Sequence, residues 1–192
     1  MARCLWRKFD ALFVLSLLAL SLGTNVYLAL RHRYVYAGEA SERVGTRLPA
    51  FAVAALDGRS ALIDWASDSR PTVLYVFKPS CVWCARNLSN IKALSEQRGR
   101  DYRFIGLSLS DEGLRKYVED NGMGFPVYTR SHEPSGARNV VWRATPETIV
   151  VGRDGLVRDD WVGAYTERSQ VEIESRFGVR LPGLLAAAAV GE

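Results

Sequence analysis

The sequence of 192 residues predicts an α/β sandwich preceded by one membrane-spanning helix. Strand-like and helix-like segments alternate and then close on a hairpin pattern and a helix, an order that lays helices against a sheet. Two thiols, in Cys81-Val82-Trp83-Cys84, fall between an apolar β-like run and a helical pattern. Ahead of them, 11–30 (ALFVLSLLALSLGTNVYLAL) carries no charge. That is about the length a helix needs to cross a ~30 Å hydrocarbon core.

The amino-terminal part divides into a tail over 1–10, an anchor over 11–30 and a tether over 31–46. Ser16, Ser21, Gly23, Thr24 and Asn25 lower the hydropathy of the span, but small and hydroxyl residues are tolerated where the backbone bonds remain internal. A buried core helix of this length without charge is unusual. A cleaved signal peptide needs a small-x-small site close behind a shorter apolar core, whereas Arg31, His32 and Arg33 follow directly and Gly38-Glu39-Ala40 is distant. An uncleaved anchor is therefore preferred. Arg3, Arg7, Lys8 and the amino terminus, offset by Asp10, outweigh Arg31 and Arg33, which puts the amino terminus in the cytoplasm. The remainder then faces the periplasm or another extracytoplasmic space, where a thiol pair can cycle, and Cys4 stays on the reducing side.

Beyond the tether, 47–180 reads as one domain, followed by a tail over 181–192 in which Leu181 to Val190 is too short to span a bilayer. Phe51 to Ala55 and Ala61 to Asp64 flank Asp57-Gly58, a dipeptide favoured in tight hairpins. Thr72 to Phe77 (TVLYVF), bounded by Pro71 and Pro79, has the β-branched and aromatic content of a buried strand. Ala85 to Arg98 places Leu88, Ile91, Ala93 and Leu94 at helical spacing and stops at Gly99. A strand over Tyr102 to Ser108 and a helix over Asp111 to Asn121, with Leu114, Tyr117 and Val118 on one face and Gly122 as its stop, come next. A short strand over Phe125 to Tyr128 follows. A hairpin joins Thr148 to Val151 with Leu156 to Val162 across Arg153-Asp154-Gly155, and Thr166 caps a last helix over Glu167 to Phe177.

The thiol pair sits where a strand passes into a helix. Unpaired N–H groups and the positive end of the helix dipole favour an anion there, so Cys81 is the expected nucleophile. Cys84, one turn on, is the expected resolving thiol. A structural zinc site requires four ligands, and beyond this pair the chain offers only Cys4, His32 and His132, two of which flank the apolar span, so no metal is expected. A purely structural bridge across two residues excludes little chain entropy and adds little stability. With 48% hydrophobic and 24% charged residues and a net charge of +4, the chain has no basic stripe interleaved with aromatics, so nucleic acid is not an expected partner.

From about Val44 to Phe177 the chain resembles the thioredoxin superfamily, in particular its membrane-anchored TlpA/ResA-like thiol-disulfide oxidoreductases with redoxin domains. The resemblance rests on Leu48-Pro49-Ala50-Phe51, Leu56-Asp57-Gly58, Phe77-Lys78-Pro79-Ser80 running into the thiol pair, Gly124-Phe125-Pro126-Val127, and Ala144-Thr145-Pro146-Glu147-Thr148. It implies a thioredoxin-like sandwich with an N-terminal β-hairpin extension. It also implies a cis proline at Pro146 beside the dithiol, with Thr145 offering main-chain hydrogen bonds to an extended substrate and Trp83 shielding the pair or receiving that substrate. This chain has Ser80 before the first cysteine and Trp83 in the third motif position where many members have Trp and Pro. Asn87 stands where some members carry a tuning glutamate, and Tyr75 where ordinary thioredoxins carry a buried acid, so proton handling must differ. Lys78 and Glu147 are placed to tune the thiols electrostatically.

The expected activity is disulfide exchange with protein substrates by a protein on the cytoplasmic (inner) membrane, with a membrane electron donor or acceptor as second partner. By resemblance the direction is reductive, with cytochrome c maturation as one setting. The Cys81–Cys84 couple is the only redox group expected, with no further cofactor. A peroxiredoxin-like peroxidase is the enzymatic alternative, but Lys78 occupies the position three before Cys81 where that chemistry uses a hydroxyl, and Pro79 lies too near. A Sco-like copper carrier would want a longer cysteine spacing. A non-catalytic partner-binding module is the alternative of a different class.

Overall fold

The computed structural model describes residues 16–28, 43–130 and 140–184. It divides into two units, Met1–Glu42 and Arg43–Glu192. In the first, residues 16–28 form helix α1, on which Leu17, Leu18, Leu20 and Leu22 are exposed. Thr24 Oγ1 donates to the Leu20 carbonyl and Asn25 Nδ2 to the Ser21 carbonyl, both at 2.8 Å. Among the described residues no helix is long and apolar enough to cross a membrane. The rest of the anchor over 11–30, together with Cys4, residues 31–42, His132 and residues 185–192, lies outside the described residues.

The second unit runs β1 (Phe51–Ala55), β2 (Ser60–Ile63), a 3-10 turn at Trp65–Ser67, β3 (Thr72–Phe77), α2 (Val82–Arg98), β4 (Arg103–Ser108), α3 (Leu114–Asn121), β5 (Val127–Arg130), β6 (Glu147–Val151), β7 (Val157–Val162) and α4 (Glu167–Phe177). The strands form one seven-stranded sheet in the order β2-β1-β5-β4-β3-β6-β7. Strands β3, β4 and β5 pair in parallel, and the other pairings are antiparallel. Every residue of β3 is buried, as expected for a central strand covered on both faces. The predicted N-terminal hairpin is present as β1–β2 at one edge.

Several boundaries differ from the sequence expectations for local reasons. Helix α2 begins at Val82, three residues early, because Cys81 serves as its cap. Helix α3 begins only at Leu114, because Gly113 has φ 66° and interrupts the run from Asp111. Strand β5 is displaced to Val127–Arg130, since Pro126 has no N–H and only its carbonyl joins the ladder, accepting from Gly106 N at 2.9 Å. Thr166 occupies the cap position of α4 without a side-chain bond to the helix backbone, and its hydroxyl meets that of Ser169 at 3.4 Å instead. Residues 43–46, assigned to the tether, are bound to β7: Gly45 N donates to the Val157 carbonyl and Val157 N to the Thr46 carbonyl. At the other end Leu181, assigned to the tail, is buried.

Alternation along the strands sorts the interior into two cores. On one face Val73, Tyr75 and Phe77 of β3 pack with Cys84, Leu88, Ile91 and Leu94 of α2, and with Ile173 and Phe177 of α4. On the other face Leu74 and Val76 pack with Phe51, Trp65, Ile149 and Val157. Among the described residues, all three helices of this unit contribute to the first core, and the second is closed by turns and loop segments around Leu48, Trp65, Val140 and Trp142. Gly106 lies on the first face opposite Tyr75, where an added Cβ would come within 3.0 Å of Val127 Cγ2 and 3.3 Å of Phe125 Cε2. The missing side chain makes room for the rings beneath the dithiol.

Candidate active site

Strand β3 ends at Phe77, and Lys78-Pro79-Ser80 turns the chain, with Cys81 N donating to the Lys78 carbonyl at 3.1 Å. Cys81 then caps α2 from an extended conformation (φ −86°, ψ 112°), its Sγ accepting the Cys84 N–H at 3.3 Å. A side-chain acceptor at this position satisfies one of the helix's unpaired donors. Here the acceptor is sulfur, so the group that caps the helix is also the group that would react. The Cys81 Sγ–H donates in turn to the Thr145 carbonyl at 3.4 Å. The Thr145–Pro146 peptide bond is cis, the geometry implied by the resemblance.

Cys81 is partly exposed and Cys84 fully buried, and both thiols are free. Burial pushes the Cys84 thiol well above the ordinary cysteine range, and the neighbouring Cys81 sulfur adds to the effect. The Lys78 main chain and the Thr145 side chain oppose it. The pair thus combines an accessible sulfur at a helix start with a neutral, sheltered one a turn further on.

The flanking residues take unequal parts. Trp83 lies on the outer side of α2, half exposed, with the Arg86 guanidinium 4.7 Å from its ring centroid. Lys78 is exposed and reaches Cys84 through its main chain rather than its ammonium. Asn87 is fully buried, and its Oδ1 accepts from Asn90 Nδ2 and from Tyr165 N, each at 3.0 Å. It acts as a brace: it ties α2 to the segment where Gly163 N donates to the Pro146 carbonyl at 2.7 Å.

Glu147 differs from the expectation that it tunes the thiols. It stands opposite Val76 in the β3–β6 register, and Val76 belongs to the core on the face away from α2. Its carboxylate pairs with Arg43 at 3.3 Å, accepts the Arg143 N–H at 3.2 Å and adjoins Asp160, which itself lies 3.9 Å from Arg43. Burial raises the Glu147 carboxyl to about 7, against the pull of Arg43. Arg43 also donates to the Val141 carbonyl and stands 5.7 Å over the Trp142 ring.

Sequence reasoning passed over Arg43, which lay within the presumed tether, and the hydroxyls of Tyr117 and Tyr165. Tyr117 was expected only on the apolar face of a helix, and Tyr165 carried no expectation. The Tyr165 hydroxyl pairs with Thr148 Oγ1 at 2.8 Å. Their detection depended on knowing which strand faces which helix.

No family model matches this chain, and no curated protein matches it. Solved structures do. The thioredoxin domain of a thiol-disulfide oxidoreductase from Bacteroides vulgatus is similar at 16% identity and a TM-score of 0.56, over 71% of this chain and 99% of that one. A thiol:disulfide interchange protein from a Bacteroides species is similar at 14% identity and a TM-score of 0.56, over 70% and 90%. StoA from Bacillus subtilis is similar at 13% identity and a TM-score of 0.53, over 71% and 98%. At these identities the likeness establishes the fold, which is thioredoxin-like.

Proposed function

We propose that this protein is a thiol-disulfide oxidoreductase acting on protein disulfides, tethered to the cytoplasmic membrane through residues 11–30 with its second unit outside the cytoplasm. The observation that carries the reading is the accessible Cys81 Sγ, which caps α2 beside the cis Thr145–Pro146 bond and one turn from the buried free thiol of Cys84. The Cys81 thiolate attacks one sulfur of a substrate disulfide, forming the mixed disulfide and expelling the other sulfur as a thiolate, which takes up a proton. Cys84 then gives up its proton and attacks Cys81 Sγ. The Cys81–Cys84 bond forms, the mixed disulfide breaks, and the second substrate sulfur leaves as a thiol. The substrate gains two electrons and two protons, and a membrane electron donor would reduce the couple again. An extended substrate segment pairs with the Thr145 main chain, and the half-exposed Trp83 ring covers its apolar residues.

The reductive direction, with cytochrome c maturation as one setting, follows the resemblance to the TlpA/ResA-like proteins. Two features of α1 support the anchor: its large apolar side chains are exposed, and Thr24 and Asn25 return their donors to the helix's own carbonyls, as hydrocarbon surroundings require.

Reduction of insulin disulfides tests the activity: the native chain turns over, Cys81→Ser does not, and Cys84→Ser accumulates a mixed disulfide visible by mass spectrometry. An inert native chain would sink the reading. Equilibration with glutathione tests the direction, an oxidising potential opposing a reductase. A carboxy-terminal reporter that matures only outside the cytoplasm tests the topology.

A further inference from the structure

The segment that carries Thr145 is clamped from the start of the unit. The Glu147 carboxylate accepts the Arg143 N–H at 3.2 Å, which closes the turn over 143–147 around Thr145–Pro146. Arg43 grips both that carboxylate and the chain ahead of the turn: its Nη1 lies 3.3 Å from Glu147 Oε1, its Nη2 donates to the Val141 carbonyl, and its guanidinium stands 5.7 Å from the Trp142 ring centroid. The Glu147 side chain is fully buried and that of Arg43 is 14% exposed. Asp160 of β7, 3.9 Å from Arg43 Nε, is the further charge in the group. The chain behind Arg43 is fixed in turn, since Gly45 N donates to the Val157 carbonyl and Leu48 N to the Gly155 carbonyl, each at 2.8 Å. Thr145 is therefore held from both sides, with its carbonyl 3.4 Å from Cys81 Sγ.

Resting on the oxidoreductase reading, we propose that Arg43 and Glu147 are positioning residues for substrate binding: together they set the Thr145 main chain where it pairs with an extended protein segment while that segment's sulfur meets Cys81. At rest the Cys81 S–H donates to the Thr145 carbonyl. A thiolate has no proton to donate, so ionisation of Cys81, or its capture in the mixed disulfide, frees that carbonyl for a backbone N–H of the substrate. The substrate is then held at two points, its main chain by Thr145 and its sulfur by Cys81, and a displaced turn would misalign one against the other. Arginine suits the task because its planar fork reaches two acceptors at once, whereas lysine offers a single point charge. A buried ion pair adds little net stability over an apolar replacement, so its contribution here is the fixed shape of the turn. Glu147 stands opposite Val76, in the core on the face away from Cys84, so the pair acts on binding and leaves the thiol chemistry to the two cysteines.

The test uses the full chain with Cys4→Ser as background and two disulfides: fluorescein-labelled insulin, which offers an extended main chain, and dithiobis(nitrobenzoate), which has none. Arg43→Met and Glu147→Gln should each raise the KM for insulin about fivefold, the worth of one ordinary hydrogen bond, while kcat and the rate of nitrothiobenzoate release stay as in the background protein. Arg43→Lys, which keeps the charge but gives up the fork, should raise the KM less. Glu147→Gln is nearly isosteric and decides the matter should Arg43→Met not fold. An unaltered KM in the folded variants overturns the positioning role, as does equal slowing with both disulfides, the mark of general structural damage. A background protein that reduces no insulin overturns the oxidoreductase reading, and the positioning role with it.

Discussion

The two faces of the central sheet bury polarity in opposite ways. Beneath α2 the buried polar groups are neutral: Tyr165 is hydrogen-bonded to Thr148 and to Asn87, and the Tyr75 hydroxyl reaches the Cys84 carbonyl. On the other face they are ionic: Arg43, Glu147 and Asp160 meet between the chain entry, β6 and β7. Adjacent residues of one strand, Glu147 and Thr148, belong to the two different sets because successive side chains on a strand point to opposite faces. The arrangement keeps fixed charge away from the buried Cys84 thiol, and places it where it fastens the start of the unit to the segment leading into Thr145–Pro146.

The largest way to break the contrast is Arg43→Ala. Removing one partner of a buried ion pair costs about 3–5 kcal/mol, and the loss in urea denaturation should be greatest above about pH 7, where Glu147 is charged, and smaller near pH 5. An equal loss at both pH values would show that Arg43 acts by packing alone. Glu147→Gln sharpens the same point. Because burial raises the Glu147 carboxyl from 4.5 to about 7, the folded state binds a proton that the unfolded chain releases. The stability this supplies is complete below about pH 4.5 and lost as the pH rises through about 7, a decline of about 3 kcal/mol over that window. Glu147→Gln should flatten the curve, and an unchanged slope would assign it elsewhere.

On the neutral face, Gly106→Ala forces a methyl to within 3.0 Å of Val127 and should cost about 1–3 kcal/mol by overpacking, read as a lower denaturation midpoint at every pH. Tyr165→Phe removes the 2.8 Å bond to Thr148 and should cost about 1–2 kcal/mol, again without pH dependence. A pH-dependent loss in either variant would contradict a neutral interior beneath the dithiol.

Local pattern accounts for what could be read in the sequence. The order of strands and helices, the hairpin at Asp57-Gly58 and the last helix over Glu167–Phe177 all followed from periodicity and turn chemistry. The position of the thiol pair at a strand-to-helix junction did too, since a strand, a turn and a helix occupy consecutive residues there. The errors arose where a neighbour distant in sequence decided. Glu147 is expected near the thiols in the fold the resemblance implies, yet its pairing with Val76 turns it away. Arg43 was read as tether because it lies in a polar stretch, yet it is held by residues roughly a hundred positions on.

The amino-acid sequence by itself therefore determined the elements, the two sulfurs and their spacing, all products of interactions within a few residues. Only the tertiary structure decided which face each polar side chain occupies, the retention of Cys84 as a sheltered neutral thiol, and the gathering of two tyrosines and an asparagine below it. Those outcomes depend on strand register, in which a shift of one residue exchanges the two faces, and register is set by the packing of the whole sheet.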